Sequence, residues 1–256
     1  MNILVTNDDG YFAKGIAALV AVAKEFGNVT VVAPDKPQSG MGHAITINAP
    51  LMVDTVDVFG SDVVAFKTSG TPVDCVKLAV DKLLSSPPDL VLSGFNHGSN
   101  ASINILYSGT MSAAVEGSIE GVASIGFSLL DYSEEADFDG SQSIARRVIQ
   151  YIIDHPLPKQ RLLNVNIPKL PADEIKGVKI CRQANAKWEE DYKERFDPRG
   201  KKYYWMTGHF ENLDTSNDTD IWALEHGYAS VVPVMFDLTD HALLAAMPEF
   251  ESVLLQ

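Results

Sequence analysis

Cysteine is nearly absent from this chain: Cys75 and Cys181 are the only two. Two thiols give neither a disulfide framework nor a zinc ligand set. Cys75 lies in a helix-like run and Cys181 in a strand-like one, so both read as buried thiols. Basic residues are also few. The 20 Lys and Arg stand against 34 Asp and Glu, a formal net charge of -14. No basic stripe is available for a nucleic-acid polymer. A small anionic substrate stays open, because a bound cation reverses the local field. No apolar run approaches the roughly 18 residues of a membrane span. No positive segment followed by an apolar run opens the chain, which enters a strand at once. A cytoplasmic protein without a membrane partner is therefore expected. Four signatures are missing: the G-x-x-x-x-G-K-[ST] phosphate loop, a full G-x-G-x-x-G, H-E-x-x-H and G-x-S-x-G.

What is present is an alternation of strands and helices. "NILVTN", "VTVVAP", "VVAFKT", "DLVLSG" and "SIGFSL" read as short buried strands. Between them, Ile16, Leu19, Val20, Ala23 and Phe26 recur at helical spacing. Thr71 and Pro72 start a second helix that runs to about Leu84, "SGTMSAAVEGSIEG" is a third, and Ile144, Val148, Ile149 and Ile152 mark a fourth. Near-continuous apolar strands alternating with helices imply an α/β fold with a doubly wound parallel sheet. The second half is less regular. "RLLNVNIP" and "VKICRQA" look like strands. "YASVVPVMFDLT" is a last strand, placed near an edge by Pro233. "WEEDYKERFDPRGKKYYW" has two polar-aromatic limbs around a turn signal, "DPRG". The expected organisation is one domain over 1–256 with an arm at about 186–208.

Sites in such sheets form at the carboxyl ends of strands. "TNDDG", "APDKPQSGMG" and "SGFNHGSN" all begin there. The adjacent carboxylates of Asp8 and Asp9 repel, so solvent in a turn, a basic side chain or a cation must compensate them. Ser39, Asn96 and Asn100 add the neutral oxygens that hard divalent ions prefer. The dozen residues from Asn96 to Tyr107 form a long loop, and such loops are usually functional. It ends at Ser108, Gly109 and Thr110, where a helix starts. Free amides and the dipole there suit an anion, and ordinary N-capping is the alternative reading of the same residues. His43 and His97 flank these loops and are candidate proton donors.

Together, "NILVTNDDG", "VVAPDKPQSG", "SGTPVDCV", "DLVLSGFNHGSN", "YSGTMSAAVEG", "LLNVNIP" and "GYASVVP" resemble the SurE family, the stationary-phase survival protein nucleotidases. The resemblance runs in order across almost the whole chain. It implies a Rossmann-like fold with a mostly parallel sheet and an appended C-terminal β-hairpin arm. It also implies a metal-dependent phosphatase acting on nucleoside 5'- and 3'-monophosphates, with one divalent ion, magnesium or manganese, per subunit. The implied ligands are Asp8, Asp9, Ser39 and Asn96. Asp8 or Asp9 would accept a proton from water, while Asn100, Ser108, Gly109 and Thr110 would contact phosphate. Because family members associate through a hairpin in this region, a homodimer or a tetramer is expected. Two alternatives are a phosphoaspartyl phosphatase, whose usual Asp-x-Asp spacing "NDDG" lacks, and a nucleotide-binding regulatory module without catalysis.

Overall fold

The computed structural model describes residues 1–247; 248–256, the end of the expected domain, lie outside them. The first half runs β1 (Asn2–Thr6), α1 (Lys14–Ala23), β2 (Asn28–Pro34), β3 (Val53–Thr55), β4 (Val64–Thr68), α2 (Pro72–Leu78), β5 (Leu90–His97), α3 (Gly109–Ile119), β6 (Ala123–Leu129) and α4 (Asp139–Asp154). The second runs β7 (Leu162–Ile167), β8 (Val178–Ile180), β9 (Ala186–Phe196), β10 (Lys202–Asn212), α5 (Asp220–Glu225), β11 (Ala229–Val234) and α6 (His241–Ala245). One sheet takes nine strands in the order β3-β4-β2-β1-β5-β6-β7-β11-β8, and β9 with β10 makes a separate antiparallel ribbon. The six strands from β4 to β7 are mutually parallel. Among the described residues no helix is long and apolar enough to cross a membrane.

Period-2 alternation assigns the two faces. Ile3 and Val5 join one apolar cluster with Ile16, Leu19, Ile144 and Ile149, so α1 and α4 cover that face. Leu4 joins the other cluster with Cys75, Val76 and Ala113, from α2 and α3. Each face is thus sealed by two helices, and β1 is buried on both sides.

Thr71 caps α2 as its sequence suggests: its hydroxyl accepts from the Asp74 amide while Asp74 reaches back to the Thr71 amide. A wide helical turn, Ala79–Leu83, then carries the chain to Leu84. One outcome differs from the sequence reading: Cys181 lies just past β8, buried, rather than inside a strand. The strand with Pro233 lies near an edge as expected, with only β8 outside it. Because β8 pairs only with Ala229–Val231, the flank at Pro233 stays open and no ladder bond is lost.

The order of strands positions the site. After β1 the chain moves to one side through β2 and β4, then crosses back to place β5 on the other side of β1. The crevice at this reversal lies at the carboxyl ends of β1 and β5.

Candidate active site

Asp8 and Asp9 leave β1 at that crevice. Asn7 closes the turn, its Nδ2 donating to the Gly10 carbonyl at 2.9 Å. Asp8 is buried and Asp9 half-buried. Two groups of α3 act on Asp8: the Thr110 hydroxyl donates to Oδ1, and the Thr110 amide adds to it. This approach needs Gly109. A Cβ there would stand 2.7 Å from the Asp8 Cβ and 2.9 Å from its carboxylate. Burial, and then the charge of Asp9, push Asp8 up to about 6, against the Thr110 bonds. Burial also raises Asp9, offset in part by the His97 amide, which donates to its Oδ2 at 3.2 Å. No lysine or arginine contributes to either shift.

A register shift between Ser93 and Asn96 on β5 presents Asn96 beside the acidic pair. Its Nδ2 donates to the Gly98 carbonyl at 2.8 Å, which leaves the amide oxygen as the free end. Ser39 comes from the loop after β2. That loop is tied to the site by its backbone, since the Gln38 amide donates to the Asp8 carbonyl at 2.7 Å and the Gly42 amide to that of Tyr107 at 3.2 Å. His43 anchors the same loop from outside, with its Nε2 2.9 Å from the buried Glu116 of α3. Lys77 also pairs with Glu116, at 2.7 Å. Burial alone would raise Glu116, but these two partners outweigh it and hold the carboxyl low.

The loop after β5 is irregular yet fixed. The Asn100 amide donates to Asn166 Oδ1, its Nδ2 to Ser128 Oγ, and its carbonyl accepts from Asn164 Nδ2, each at 2.8 Å. Asp220, at the start of α5, accepts from the Ser102 amide at 2.8 Å and from the Ala184 amide at 2.9 Å. The loop is therefore joined to the root of the ribbon. Ser108 caps α3, its Oγ accepting from the Met111 amide at 2.9 Å, so its proton is left to donate.

Asp8, Ser39, Asn96, Asn100 and Ser108 line one cleft of about 570 Å³. Gly109 and Thr110 sit behind Asp8, and Thr110 spends its hydroxyl on that carboxylate rather than on the cleft. His97 lines the cleft, whereas His43 is held by Glu116. Sequence reasoning missed Tyr132, which also follows a strand end, and it treated Trp188 only as part of the arm. Both line the cleft, as do Tyr107, Glu190 and Met206. Among the described residues no group of three or more His, Cys, Asp or Glu gathers to hold an ion. The cleft is lined by the Asp8 carboxylate and the neutral oxygens of Ser39 and Asn96, while Asp9 is not among its lining residues and sits next to Asp8 against the His97 amide. Oxygens of this kind suit a hard divalent cation.

These features define an α/β protein of the doubly wound class, with an acidic, oxygen-rich cleft at its switch point. The model of the family described as survival protein SurE matches residues 3–190. A protein of Flavobacterium psychrophilum named 5'-nucleotidase SurE is 54% identical over 97% of both chains. One of Christiangramia forsetii with the same name is 58% identical over 93% of this chain and 92% of its own. The crystal structure of the SurE protein from Aquifex aeolicus superposes with a TM-score of 0.85 at 39% identity, covering 98% of this chain and all of that one. The chain belongs to the SurE family.

Proposed function

We propose that the protein is a 5'-nucleotidase: a phosphomonoesterase, dependent on a divalent metal ion, that hydrolyses nucleoside 5'-monophosphates, and 3'-monophosphates as well, to nucleoside and phosphate. The names of its relatives support the reaction class. The observation that carries the reading is the pair Asp8 and Asp9, adjacent at the switch point, with no lysine or arginine among the described residues to neutralise them and only the His97 ring offsetting part of the charge of Asp9. Magnesium or manganese, held by Asp8, Asp9, Ser39 and Asn96, would supply charge neutralisation for the phosphate and acidify water.

The residues of the chain divide the remaining work. Asp8 is held in one orientation by Thr110, so it serves as a fixed ligand. Asp9 is more open and bonded only through the His97 amide, which suits it to take a proton from the attacking water. The free Ser108 proton and Asn100 line the cleft and would contact phosphate, where charge stabilisation matters most for phosphoryl transfer, whereas Gly109 lies behind Asp8 and would reach it by its backbone amide alone. Thr110 acts through Asp8. The test is phosphate release from a panel of nucleoside monophosphates with magnesium, manganese or cobalt, with and without chelator. Activity that survives chelation would refute the metal; a trapped phosphoaspartate would refute direct attack by water.

The ribbon supports a second part of the reading, a homodimer or a tetramer assembled through it. Tyr192, Phe196, Tyr204 and Trp205 are each more than half exposed on the ribbon. A two-stranded ribbon alone is marginal in water, so a second copy would cover these rings. The ribbon, Ala186 to Asn212, extends four residues beyond the arm expected from the sequence.

A further inference from the structure

The ribbon has a root as well as a tip, and the root lies in the cleft. Trp188, Glu190 and Met206 line the same cleft as Asp8 and Asn96. Strand pairing sets Trp188 opposite Phe210, Glu190 opposite Gly208 and Tyr192 opposite Met206, so all six share one face of the ribbon. Gly208 leaves a gap in that face between two pairs of large side chains. The gap is built in, because a Cβ at Gly208 would meet the Glu189 carbonyl at 2.3 Å. The Trp188 indole is fixed at the edge of the gap. Its Nε1 donates to Asn104 Oδ1 at 2.7 Å, which leaves the ring faces unused by any hydrogen bond. Phe210 meets the indole edge to face, with ring centroids 5.5 Å apart. Lys187 pairs with Glu189 and Glu211 on the opposite face of the ribbon, not with Glu190.

We propose that this root is the wall that reads the nucleobase: Trp188 is the stacking platform, and Glu190 accepts a hydrogen bond from an amino group of the base. The inference rests on the nucleotidase reading of the phosphate end. A flat, edge-anchored indole beside a gap suits any base, since every base has a π face. The carboxylate adds selectivity, because it accepts from an amino group and is repelled by a ring carbonyl in the same place. Adenosine and inosine monophosphates differ by that group, so the protein is expected to favour the former.

Competitive inhibition separates the two ends of the cleft. Adenosine reports the base wall and inorganic phosphate the acidic end. In Trp188→Leu the inhibition constant of adenosine should rise about tenfold, the scale of one lost stacking contact, while that of phosphate holds. Trp188→Phe should restore most of the adenosine affinity. In Glu190→Gln the preference for adenosine over inosine monophosphate, read as a ratio of kcat/KM, should fall to near one. The proposal is overturned if the two constants move together or neither moves in Trp188→Leu, or if the wild-type ratio is already near one or persists in Glu190→Gln. Failure of the nucleotidase reading is distinct: wild-type protein would then release no phosphate from any nucleoside monophosphate.

Discussion

The hydroxyl of Thr110 donates to the carboxylate of Asp8 although 102 residues separate them in the chain. The start of α3 is thereby tied to the exit of β1, and the candidate metal ligand is aimed by the helix that joins β5 to β6 rather than by a neighbour in the chain. Four expectations grow from this and neighbouring contacts.

Asp8→Asn should abolish activity while leaving the fold intact. The substitution keeps the shape and removes one of two repelling charges. Metal-free Asp8→Asn protein should be more stable than wild type at pH 7, by up to about 3 kcal/mol given the raised pKa. Urea denaturation in chelator checks this; equal or lower stability would refute the buried-charge account.

The same raised pKa gives the metal-free protein a pH dependence. Folding favours protonated Asp8, so its contribution is fully present below pH 3.8 and is lost as pH rises through about 6. The raised Asp9 acts in the same direction. The contribution of this pair should therefore decline across pH 4–6, against the opposite trend of Glu116 and the other carboxylates held low, such as Asp74, whose stability is present above their unfolded values and lost as pH falls. Asp8→Asn should flatten most of the decline, and saturating magnesium should reverse it. Calorimetry at several pH values reads all three.

Thr110→Ala removes a donor from a buried carboxylate, worth on the order of 1–3 kcal/mol. Metal affinity should change with it, and Thr110→Ser should restore both. Titration calorimetry with magnesium and with phosphate distinguishes the roles: an effect on phosphate alone would place the hydroxyl on the anion instead.

Gly109→Ala would push a methyl group into Asp8. Overpacking of this kind costs about 1–3 kcal/mol. Activity should fall at least as far as in Thr110→Ala, because the carboxylate itself must move. Retained turnover would show that the start of α3 is free to shift.

Light scattering tests the exposed rings of the ribbon. Replacing Tyr192 and Trp205 together by Ser should lower the oligomeric state without changing magnesium affinity. An intact protein that is monomeric at micromolar concentration would refute the assigned role.

Much of this was legible in the residues. The buried strands β1, β2, β5 and β6 announce themselves as near-continuous apolar runs, and the cap at Thr71 with Pro72 fixes where α2 starts. The acidic pair was legible for the same reason, as charge placed where apolar sequence ends. Asn164 and Asn166 were not. On β7 they alternate with Leu163, Val165 and Ile167, the pattern of a strand with one wet face, yet both are buried and hold the Asn100 loop. Periodicity reports which residues share a face, not what covers that face. Thr110 misled differently: a hydroxyl at a helix start suits an anion or a neighbouring carboxylate equally, and only packing around Gly109 selects Asp8. Glu190 carries no local signal and Tyr132 only its place after β6, because the cleft that they line is closed by segments far apart in sequence.

The floor and the walls of the cleft are built from different material. Asn100 is bonded on three sides to β6 and β7, so the floor behaves as an extension of the core despite having no regular structure. The ribbon root and the Ser39 loop border the same space with exposed side chains. A chain built this way can change what it recognises by substitution at Trp188, Glu190 or the residues around Ser39, and keep the acidic centre where it is. Selection for new substrates, natural or in the laboratory, should therefore accumulate changes in the rim and leave Asn100, Asn164 and Asn166 alone.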